Sequence, residues 1–242
     1  LLEDLRSGDF SGYWAKLSRG VWVDSRRLEE LLALAGELAE AAEGRVKLLA
    51  EELRARIAAL RLVRLGRLKP YLEAAVEREA KAQGKLVRLE FRGDAEVERE
   101  AAEAVAEALV HLVRNAVAHG VEPPEEREAL GKNPTGLVRV SVEAGGEQLR
   151  ISVEDDGRGI DPDAVLRRAR QLGLEGEPLE LIFEPGFSLR AEADLSAGRG
   201  VGLDAVRKAV EELGGEVWAE SEPGRGARFV LTLPTGLSNA HV

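Results

Sequence analysis

Four short motifs hold the residue types that could bind a nucleotide and direct its phosphates. They follow one another in fixed order between residues 111 and 202. One combines histidine with asparagine, one joins aspartates to glycines, one carries phenylalanines and one is a glycine triplet: His111-Leu-Val-Arg-Asn-Ala-Val-Ala-His-Gly120, Asp155-Asp-Gly-Arg-Gly159, Phe183-Glu-Pro-Gly-Phe187 and Gly198-Arg-Gly-Val-Gly202. One glycine motif would be weak evidence, whereas four in this order indicate a nucleotide pocket.

The first motif predicts a helix with one face that binds a metal ion and a phosphate group. Asn115 and His119 are four residues apart in a periodic run, Val97 to His119, which predicts one helix that presents both side chains on the same face. Asn115 offers a neutral oxygen of the kind that Mg²⁺ prefers beside waters and phosphate oxygens. His119, one turn further along, can then reach a phosphate.

The second motif predicts a site for adenine. Asp155 ends a run of alternating apolar residues, 149–154, so a half-buried strand should lead into a glycine turn there. Its carboxylate can accept a hydrogen bond from the exocyclic amine of adenine, while Gly157 and Gly159 let the backbone approach the base. We therefore expect adenine to be preferred over guanine, through a bond worth roughly 1.5 to 3 kcal/mol.

The last two motifs predict a phosphate loop and a lid. The glycine triplet precedes a helical pattern, 201–213, and free backbone N–H groups at a helix N-terminus form an anion site for a triphosphate. Between the second and fourth motifs, 161–197 holds a short helix, 162–172, and then a stretch rich in Gly, Pro and Glu. This segment is typical of a mobile lid that Phe183 and Phe187 anchor when nucleotide is present.

The four motifs resemble the N, G1, F and G2 boxes of the GHKL ATP-binding superfamily, and they are most similar to the CheA family of chemotaxis-type histidine kinases. The resemblance runs from about Val23 to Pro234. It is closest in five stretches: His111-Leu-Val-Arg-Asn-Ala, His119-Gly-Val-Glu, Glu154-Asp-Asp-Gly-Arg-Gly-Ile-Asp, Glu184-Pro-Gly-Phe-Ser and Gly198-Arg-Gly-Val-Gly-Leu-Asp. It implies an α+β protein, with an N-terminal helical hairpin followed by a Bergerat-type two-layer α/β sandwich that binds ATP.

His111 separates kinase from ATPase within this superfamily. The ATPases carry a water-activating glutamate four residues before the asparagine that binds Mg²⁺, where this chain has His111. A histidine with a pKa near 6.5 is mostly neutral at pH 7 and can accept a proton from an attacking imidazole. The resemblance thus implies phosphoryl transfer with His111 as catalytic base; a histidine merely packed on a helix is the alternative.

The resemblance also implies a set of ATP and Mg²⁺ contacts. Arg168 and Arg190 stand where relatives often have lysine, and a solvated surface arginine is the alternative for each. Ala227 replaces a usual threonine, which puts one contact to Asp155 in question. The implied nucleotide contacts are Arg114, Asn115, His119, Asp155, Gly157, Gly159, Arg168, Phe187, Arg190, Gly198, Gly200 and Gly202, with Asn115 as the metal ligand.

The implied enzyme is an ATP-dependent protein-histidine kinase core that phosphorylates, in trans, a histidine on a phosphotransfer (Hpt) domain, which then serves a response regulator. The histidines of this chain are His111, His119 and His241, and none resembles that acceptor, so the acceptor should lie on another polypeptide or a missing segment. A start at Leu1 without methionine fits a fragment of a longer kinase. The alternative is an ATP-gated, dimerising interaction module with little or no kinase activity.

Residues 24–65 predict a helical hairpin. Apolar residues recur at i, i+3, i+4 and i+7 behind the N-cap candidate Asp24, and Gly44 interrupts the pattern once. The apolar stripe is too wide for an isolated pair, so two copies could form a four-helix dimer bundle; packing against the chain's own catalytic domain is the alternative. We expect 1–22 to be a linker or remnant, 23–66 the hairpin, 67–236 the ATP-binding domain and 237–242 a tail.

Alternating patterns place five strands in the second half, where they should form a mixed sheet with helices on one face. The turns Gly145-Gly146 and Pro223-Gly-Arg-Gly226 are typical of hairpins. The expected strands are Val87–Phe91, Val138–Glu143, Leu149–Glu154, Val217–Ser221 and Arg228–Leu233.

Composition narrows the functional classes. The chain has 242 residues and no cysteine, which suits a reducing cytoplasm and excludes disulfides and thiolate metal sites. Residues 86–242 carry 18 basic and 30 acidic groups, which argues against a nucleic-acid surface. No apolar run approaches the eighteen or so residues needed to cross a membrane, so no direct membrane contact is expected.

Overall fold

The computed structural model describes residues 25–146, 148–188 and 202–234. The chain divides into two compact units between Val63 and Arg64, and each is described by itself. No helix among the described residues is both long and apolar enough to cross a membrane. Predictions that concern Asp24, Arg190, Gly198, Gly200 and the two termini lie outside the described residues.

The first unit contains the predicted helical hairpin. Helix α1 spans Ser25–Ala41 and α2 spans Gly44–Ala59, and Gly44 starts the second helix with a positive φ of 59°. Leu28, Ala35 and Ile57 form a small buried cluster, against which Leu32 packs. Many other large apolar side chains of the pair are exposed on a single copy of the chain: Leu31, Leu34, Leu38, Val46, Leu48, Leu49, Leu53 and Leu60.

The elements from residue 62 onward alternate short helices with strands. Strand β1 (Leu62–Arg64) spans the boundary between the units and leads into a 3₁₀ turn (Leu65–Leu68). The remaining elements are α3 (Lys69–Ala82), β2 (Val87–Gly93), β3 (Glu96–Glu98), α4 (Arg99–Asn115), α5 (Pro124–Ala129), β4 (Gly136–Gly145), β5 (Gln148–Asp155), α6 (Pro162–Leu172), α7 (Pro178–Leu181), α8 (Leu203–Glu212), β6 (Glu216–Glu222) and β7 (Gly226–Pro234).

The five predicted strands form one mixed sheet in the order β2-β4-β5-β7-β6. Strands β2 and β4 are parallel and the other neighbours are antiparallel, so the sheet is mixed as expected. The hairpins predicted at Gly145-Gly146 and at 223–226 join β4 to β5 and β6 to β7. The second unit is therefore the expected α+β fold, with helices and sheet in two layers.

Helix α4 is the central helix of the second unit. It packs against α3 and α8 and also contacts β5, and its apolar side is fully enclosed. Its buried residues recur every three to four positions, which is the spacing that the sequence showed. They are Ala101, Ala102, Val105, Ala106, Ala108, Leu109, Leu112 and Val113.

The prediction of one helix from Val97 to His119 was wrong at both ends. Val97 lies in strand β3, and the α-helix ends at Asn115. A π-helical turn (Ala116–Gly120) follows, closed by the Val121 N–H donating to the Ala116 carbonyl at 2.8 Å. Such wider turns often occur at functional sites, and this one changes the direction in which the end of the helix presents its side chains.

Candidate nucleotide-binding site

Asp155 ends strand β5, where the sequence placed it, and is only 5% exposed. Its Oδ1 accepts the Gly157 N–H at 2.9 Å, and the Ala227 N–H also donates to it. Burial raises the pKa of Asp155 to about 6, because removal from water disfavours the charged form, and the negative charges of Asp156 and Glu122 act in the same direction. The carboxyl group is held by backbone donors in a confined space.

Ala227 keeps a contact to this aspartate without a hydroxyl group. The family resemblance implied threonine at this position, and the missing hydroxyl put one contact to Asp155 in question. In the structure the backbone N–H of Ala227 donates to the Asp155 carboxylate, and β7 pairs with β5 from Glu154 to Gln148. A backbone donor requires only the register of the two strands, so this hydrogen bond does not depend on a hydroxyl at position 227, whereas the alanine side chain offers no second donor.

Two of the predicted glycines lie where no side chain fits. A Cβ atom at Gly157 would collide with the Gly120 carbonyl. Gly159 has a φ of 72°, and a Cβ atom there would lie 2.6 Å from the Glu222 carbonyl oxygen. A Cβ atom at Gly120 would lie 2.6 Å from the Asp155 carboxylate. The turn after β5 and the end of the π-helical turn therefore approach each other backbone to backbone.

His111 and Asn115 form a hydrogen-bonded pair on α4, with Asn115 Nδ2 2.8 Å from His111 Nε2. An amide nitrogen can only donate, so Nε2 of His111 must be the unprotonated ring nitrogen. Burial, and after it the positive charge of Arg114, lower the pKa of His111 to about 4, against an opposing effect of Asp204. His111 is therefore a neutral base at physiological pH.

The pair also leaves the Asn115 amide oriented for a cation. With its nitrogen turned toward His111, the amide presents its oxygen in the other direction, and oxygen is the ligand that Mg²⁺ prefers. No group of three or more metal-binding His, Asp or Glu side chains occurs among the described residues. These residues fit a Mg²⁺ ion that shares Asn115 with phosphate oxygens, rather than one held in a protein cage.

The residues predicted to contact phosphate differ in their surroundings. Arg114 is 49% exposed and lies 3.5 Å from Glu79, and His119 is exposed on the π-helical turn. Arg168 donates to the Ser188 carbonyl at 2.9 Å and to Gln171 Oε1 at 3.1 Å, so it ties α6 to the end of the third motif. In this structure Arg168 thus contacts the lid segment, a role the sequence did not suggest.

The two lid phenylalanines differ. Phe183 is buried, packs edge-on against Phe229 with ring centroids 6.2 Å apart, and lies under the Arg207 guanidinium at 4.5 Å. Phe187 is half-buried, and its N–H donates to the Glu184 carbonyl. Phe183 is therefore part of the core without nucleotide, which leaves Phe187 as the phenylalanine that a closing lid could carry.

Gly202 is the one glycine of the fourth motif that the structure describes. It is the N-cap residue of α8, with extended backbone angles, and Asp204 follows in the first turn of the helix. Backbone N–H groups at such an end favour anions. Helix α8 packs against α4, and the charge of Asp204 in its first turn acts on His111, so the start of α8 lies near His111.

Sequence reasoning missed a charged cluster behind Asp155, here called the turn clamp: Glu122, Arg127, Lys132 and Asp156. Glu122 and Arg127 are 0% and 1% exposed and form an ion pair at 2.9 Å. Lys132 and Asp156 complete the cluster through contacts at 2.8 and 2.9 Å. The signal in the sequence was Glu122, two residues after the first motif, but the partners of its charge come from a separate helix and turn.

The opposite pKa shifts of Asp155 and His111 affect stability in opposite directions. Asp155 keeps a proton in the folded state that the unfolded chain releases between about pH 4 and 6, so its contribution to the free energy of unfolding falls as pH rises. His111 is unprotonated in the folded state between about pH 4 and 6.5, where the unfolded chain binds a proton at this residue. Its contribution to the free energy of unfolding therefore rises with pH. Each amounts to about 3 kcal/mol, and the two nearly cancel.

Asp155→Asn should uncover this cancellation. The substitution removes the contribution of Asp155, which falls as pH rises, and leaves that of His111, which rises with pH. The free energy of unfolding of the variant minus that of the original protein should therefore increase by about 3 kcal/mol from pH 4 to pH 6. Urea unfolding at several pH values measures the difference, and His111→Gln should give a slope of opposite sign. A difference that does not change with pH would show that Asp155 titrates normally.

The sequence profile described as "Histidine kinase-, DNA gyrase B-, and HSP90-like ATPase" matches residues 101–237, which include all four motifs. The chain belongs to this family. It is 43% identical over 193 residues to a gliding motility regulatory protein of Myxococcus xanthus, and 34% identical to the chemotaxis protein CheA of Cereibacter sphaeroides (199 residues) and of Bacillus subtilis (229 residues). The predicted resemblance to CheA-type kinases is confirmed.

The matches cover most of this chain but a small part of each relative. They span 75%, 78% and 89% of this chain, and 25%, 29% and 34% of the Myxococcus, Cereibacter and Bacillus proteins. The chain thus corresponds to about a quarter to a third of the length of these relatives. The family supports ATP as the ligand of this domain.

Proposed function

We propose that this chain is the catalytic core of a chemotaxis-type histidine kinase, which binds Mg-ATP and phosphorylates a histidine on an Hpt domain in trans. The observation that carries the proposal is the His111–Asn115 pair, in which a neutral base contacts the amide that would hold Mg²⁺. A glutamate in place of His111 would instead suit the activation of water. A neutral histidine beside a metal ligand suits the transfer of phosphate to a neutral nucleophile, because it can take up the proton that the nucleophile releases.

The residues of the site divide the chemistry between them. In the transfer, the acceptor imidazole forms a nitrogen–phosphorus bond to the γ-phosphorus, and the bond from that phosphorus to ADP breaks with its electron pair. His111 takes up the ring proton at Nε2, which gives up its hydrogen bond from the Asn115 amide at this step. Asp155 orients the adenine, and Arg114 and His119 offer positive or hydrogen-bonding groups to the phosphates. Mg²⁺ would neutralise phosphate charge beside Asn115.

The partners are proposed from the relatives. Two of these proteins are named as chemotaxis proteins and one as a gliding motility regulatory protein, which fits a signalling kinase. The acceptor Hpt domain would come from another polypeptide or from a further segment of the same protein, and would pass phosphate to a response regulator. The cytoplasmic location stays a prediction.

A reconstituted transfer assay tests the proposal. The protein is mixed with Mg²⁺, ATP labelled at the γ-phosphate and separately expressed Hpt domains, including those encoded near its gene. We expect acid-labile label on the Hpt histidine, as phosphohistidine requires. Tight ATP binding without transfer to any of several Hpt domains would overturn the kinase proposal and favour the ATP-gated interaction module.

We further propose that the hairpin makes the protein a dimer. The stripe of Val46, Leu49, Leu53 and Leu60 on α2 is 48 to 68% exposed on a single copy. Among the described residues of the hairpin, the buried apolar side chains are Leu28, Ala35, Ala39, Ala50 and Ile57, of which three are small alanines. A pair of helices with so small a core gains most of its stability by burying this stripe against a second copy.

Leu53→Glu should dissociate the dimer. Burial of a leucine contributes roughly 1.5 to 3 kcal/mol, and two copies are lost, so the dissociation constant should rise by roughly a hundredfold or more. Sedimentation equilibrium over a range of concentrations measures it. Leu48→Glu is the matched control, because Leu48 lies on the opposite side of α2 from the stripe. Equal effects of both substitutions would contradict an interface at the stripe.

A further inference from the structure

The turn clamp contacts the peptide groups that follow Asp155. Nζ of Lys132 lies 2.7 Å from the Gly157 carbonyl oxygen, 3.1 Å from the Asp156 carbonyl oxygen and 2.8 Å from Glu122 Oε1. An ammonium group has three N–H donors, and here each has an acceptor. Lys132 thus holds two successive carbonyl groups of the turn in fixed positions.

Arg127 holds the same turn from the side chain of Asp156. Its Nη2 lies 2.9 Å from Asp156 Oδ2, its Nη1 lies 2.9 Å from Glu122 Oε2, and its Nε donates to the Asn133 carbonyl at 2.6 Å. The other oxygen of Asp156 accepts the Leu137 N–H of β4 at 2.9 Å. Asp156 is therefore tied to a strand and to α5, and it faces the clamp.

The clamp reaches the Asp155 carboxylate most directly through Gly157. The Gly157 N–H donates to Asp155 Oδ1 at 2.9 Å, and the Gly157 carbonyl accepts from Lys132. A Cβ atom at this glycine would collide with the Gly120 carbonyl, so the orientation of the turn is set by these hydrogen bonds and the backbone, without a side chain. Displacement of Gly157 therefore moves the donor that orients the Asp155 carboxylate.

The burial of the clamp makes this restraint stiff. Glu122 and Arg127 are almost fully enclosed, and two positive side chains balance the negative side chains of Glu122 and Asp156. A buried ion pair contributes little net stability compared with apolar packing, but it is specific in geometry, because loss of one partner leaves an uncompensated charge. That combination suits a group that fixes a binding residue in place.

We propose that Lys132, supported by Glu122 and Arg127, is a positioning residue for adenine recognition. It acts through the backbone of Asp156 and Gly157, whose carbonyl groups are its acceptors, and sets the angle at which Asp155 meets the 6-amino group of the base. Lys132 itself touches no nucleotide in this proposal. The inference rests on the proposed binding of ATP at Asp155.

The test compares two nucleotides that differ only in the 6-amino group: ATP and purine riboside triphosphate. The original protein should prefer ATP by roughly tenfold or more, the effect of one hydrogen bond to a carboxylate. In Lys132→Met this preference should fall by about threefold or more, because a hydrogen bond weakens steeply when its geometry is lost. Calorimetric titration of the 242-residue chain with each nucleotide gives the two dissociation constants.

Matched variants separate positioning from general damage. Lys69→Met also removes one ammonium group, but from an exposed ion pair with Glu73 on α3, and should leave the preference unchanged. Val76→Ala lowers stability through a small cavity in α3 and should weaken both nucleotides equally, if at all. Lys132→Gln keeps hydrogen-bond donors in the clamp, so it should fold even if Lys132→Met does not. Its preference for ATP should lie between those of the original protein and Lys132→Met.

The outcomes distinguish this inference from the function on which it rests. A lowered preference in the Lys132 variants, with the controls unchanged, supports the positioning role. An unchanged preference in variants that bind both nucleotides less tightly, or melt at a lower temperature, overturns it and leaves a structural role. An original protein that binds ATP no better than purine riboside triphosphate overturns adenine recognition by Asp155, and with it this inference.

Discussion

His111→Gln should abolish most phosphoryl transfer to an Hpt histidine while ATP still binds. A positioned general base contributes roughly a hundredfold to ten-thousandfold in rate, and we expect a loss in that range. The reason lies in the His111–Asn115 pair. Glutamine can still accept the hydrogen bond from the Asn115 amide through its side-chain oxygen, but it cannot take up a proton at neutral pH.

This substitution therefore separates chemistry from binding. Single-turnover transfer with a saturating Hpt domain measures the rate, and calorimetry measures ATP affinity, which should change by no more than a few-fold. Glu107→Gln on the same helix is a suitable control for changes in charge and helix stability. A normal transfer rate in His111→Gln would show that another group, or water, accepts the proton, and would leave His111 as a packed helix residue.

Asp155→Ala should weaken ATP binding by roughly tenfold to more than a hundredfold. The estimate follows from the loss of a hydrogen bond between a carboxylate and the 6-amino group, worth roughly 1.5 to 3 kcal/mol. Asp155 is 5% exposed and already accepts the N–H groups of Gly157 and Ala227, so its carboxylate is oriented before the base arrives. Affinity for purine riboside triphosphate, which lacks the amine, should change much less.

The same aspartate gives this binding a pH dependence. Its pKa is raised to about 6, and the ionised form is the stronger acceptor for the amine, so the preference for ATP should fall as pH drops below about 6. The ratio of the two nucleotide affinities removes the common effect of phosphate protonation. Glu154→Gln, one residue earlier and partly exposed, is the matched control and should leave both the preference and its pH dependence intact. An ATP affinity that survives Asp155→Ala would place the base elsewhere.

Much of the scaffold could be predicted from local patterns. All five strands of the sheet, the two glycine hairpins and the helical hairpin appear where alternation, periodicity and glycine placed them. These features depend on neighbours two to four residues apart, which a sequence displays directly. The end of the first-motif helix was predicted wrongly, because the π-helical turn depends on the close approach of Gly120 and Asp155. These two residues are far apart in the chain, so no local pattern shows their contact.

Tertiary structure decided which acceptors the long basic side chains near the site contact. Lys85 donates to the carbonyls of Val117 and Ala118 at 2.7 and 3.0 Å and so stabilises the π-helical turn, a contact that no local motif contains. Arg168 turns to the Ser188 carbonyl, although its position in the chain matched a phosphate contact. Both outcomes depend on which acceptors the fold brings within hydrogen-bond distance of a long, flexible side chain.

The sequence by itself determined the chemistry of this protein: the types and order of the residues that would meet adenine, Mg²⁺ and phosphate, and the elements that carry them. Only the tertiary structure decided the pKa values of these residues and the ion pairs that hold them in place, because desolvation and ion pairing depend on burial. It lowered the pKa of His111, raised that of Asp155, and enclosed Glu122 and Arg127 behind the turn that follows Asp155. Spacing along a chain cannot show burial of this kind, since it arises from segments that meet only after folding.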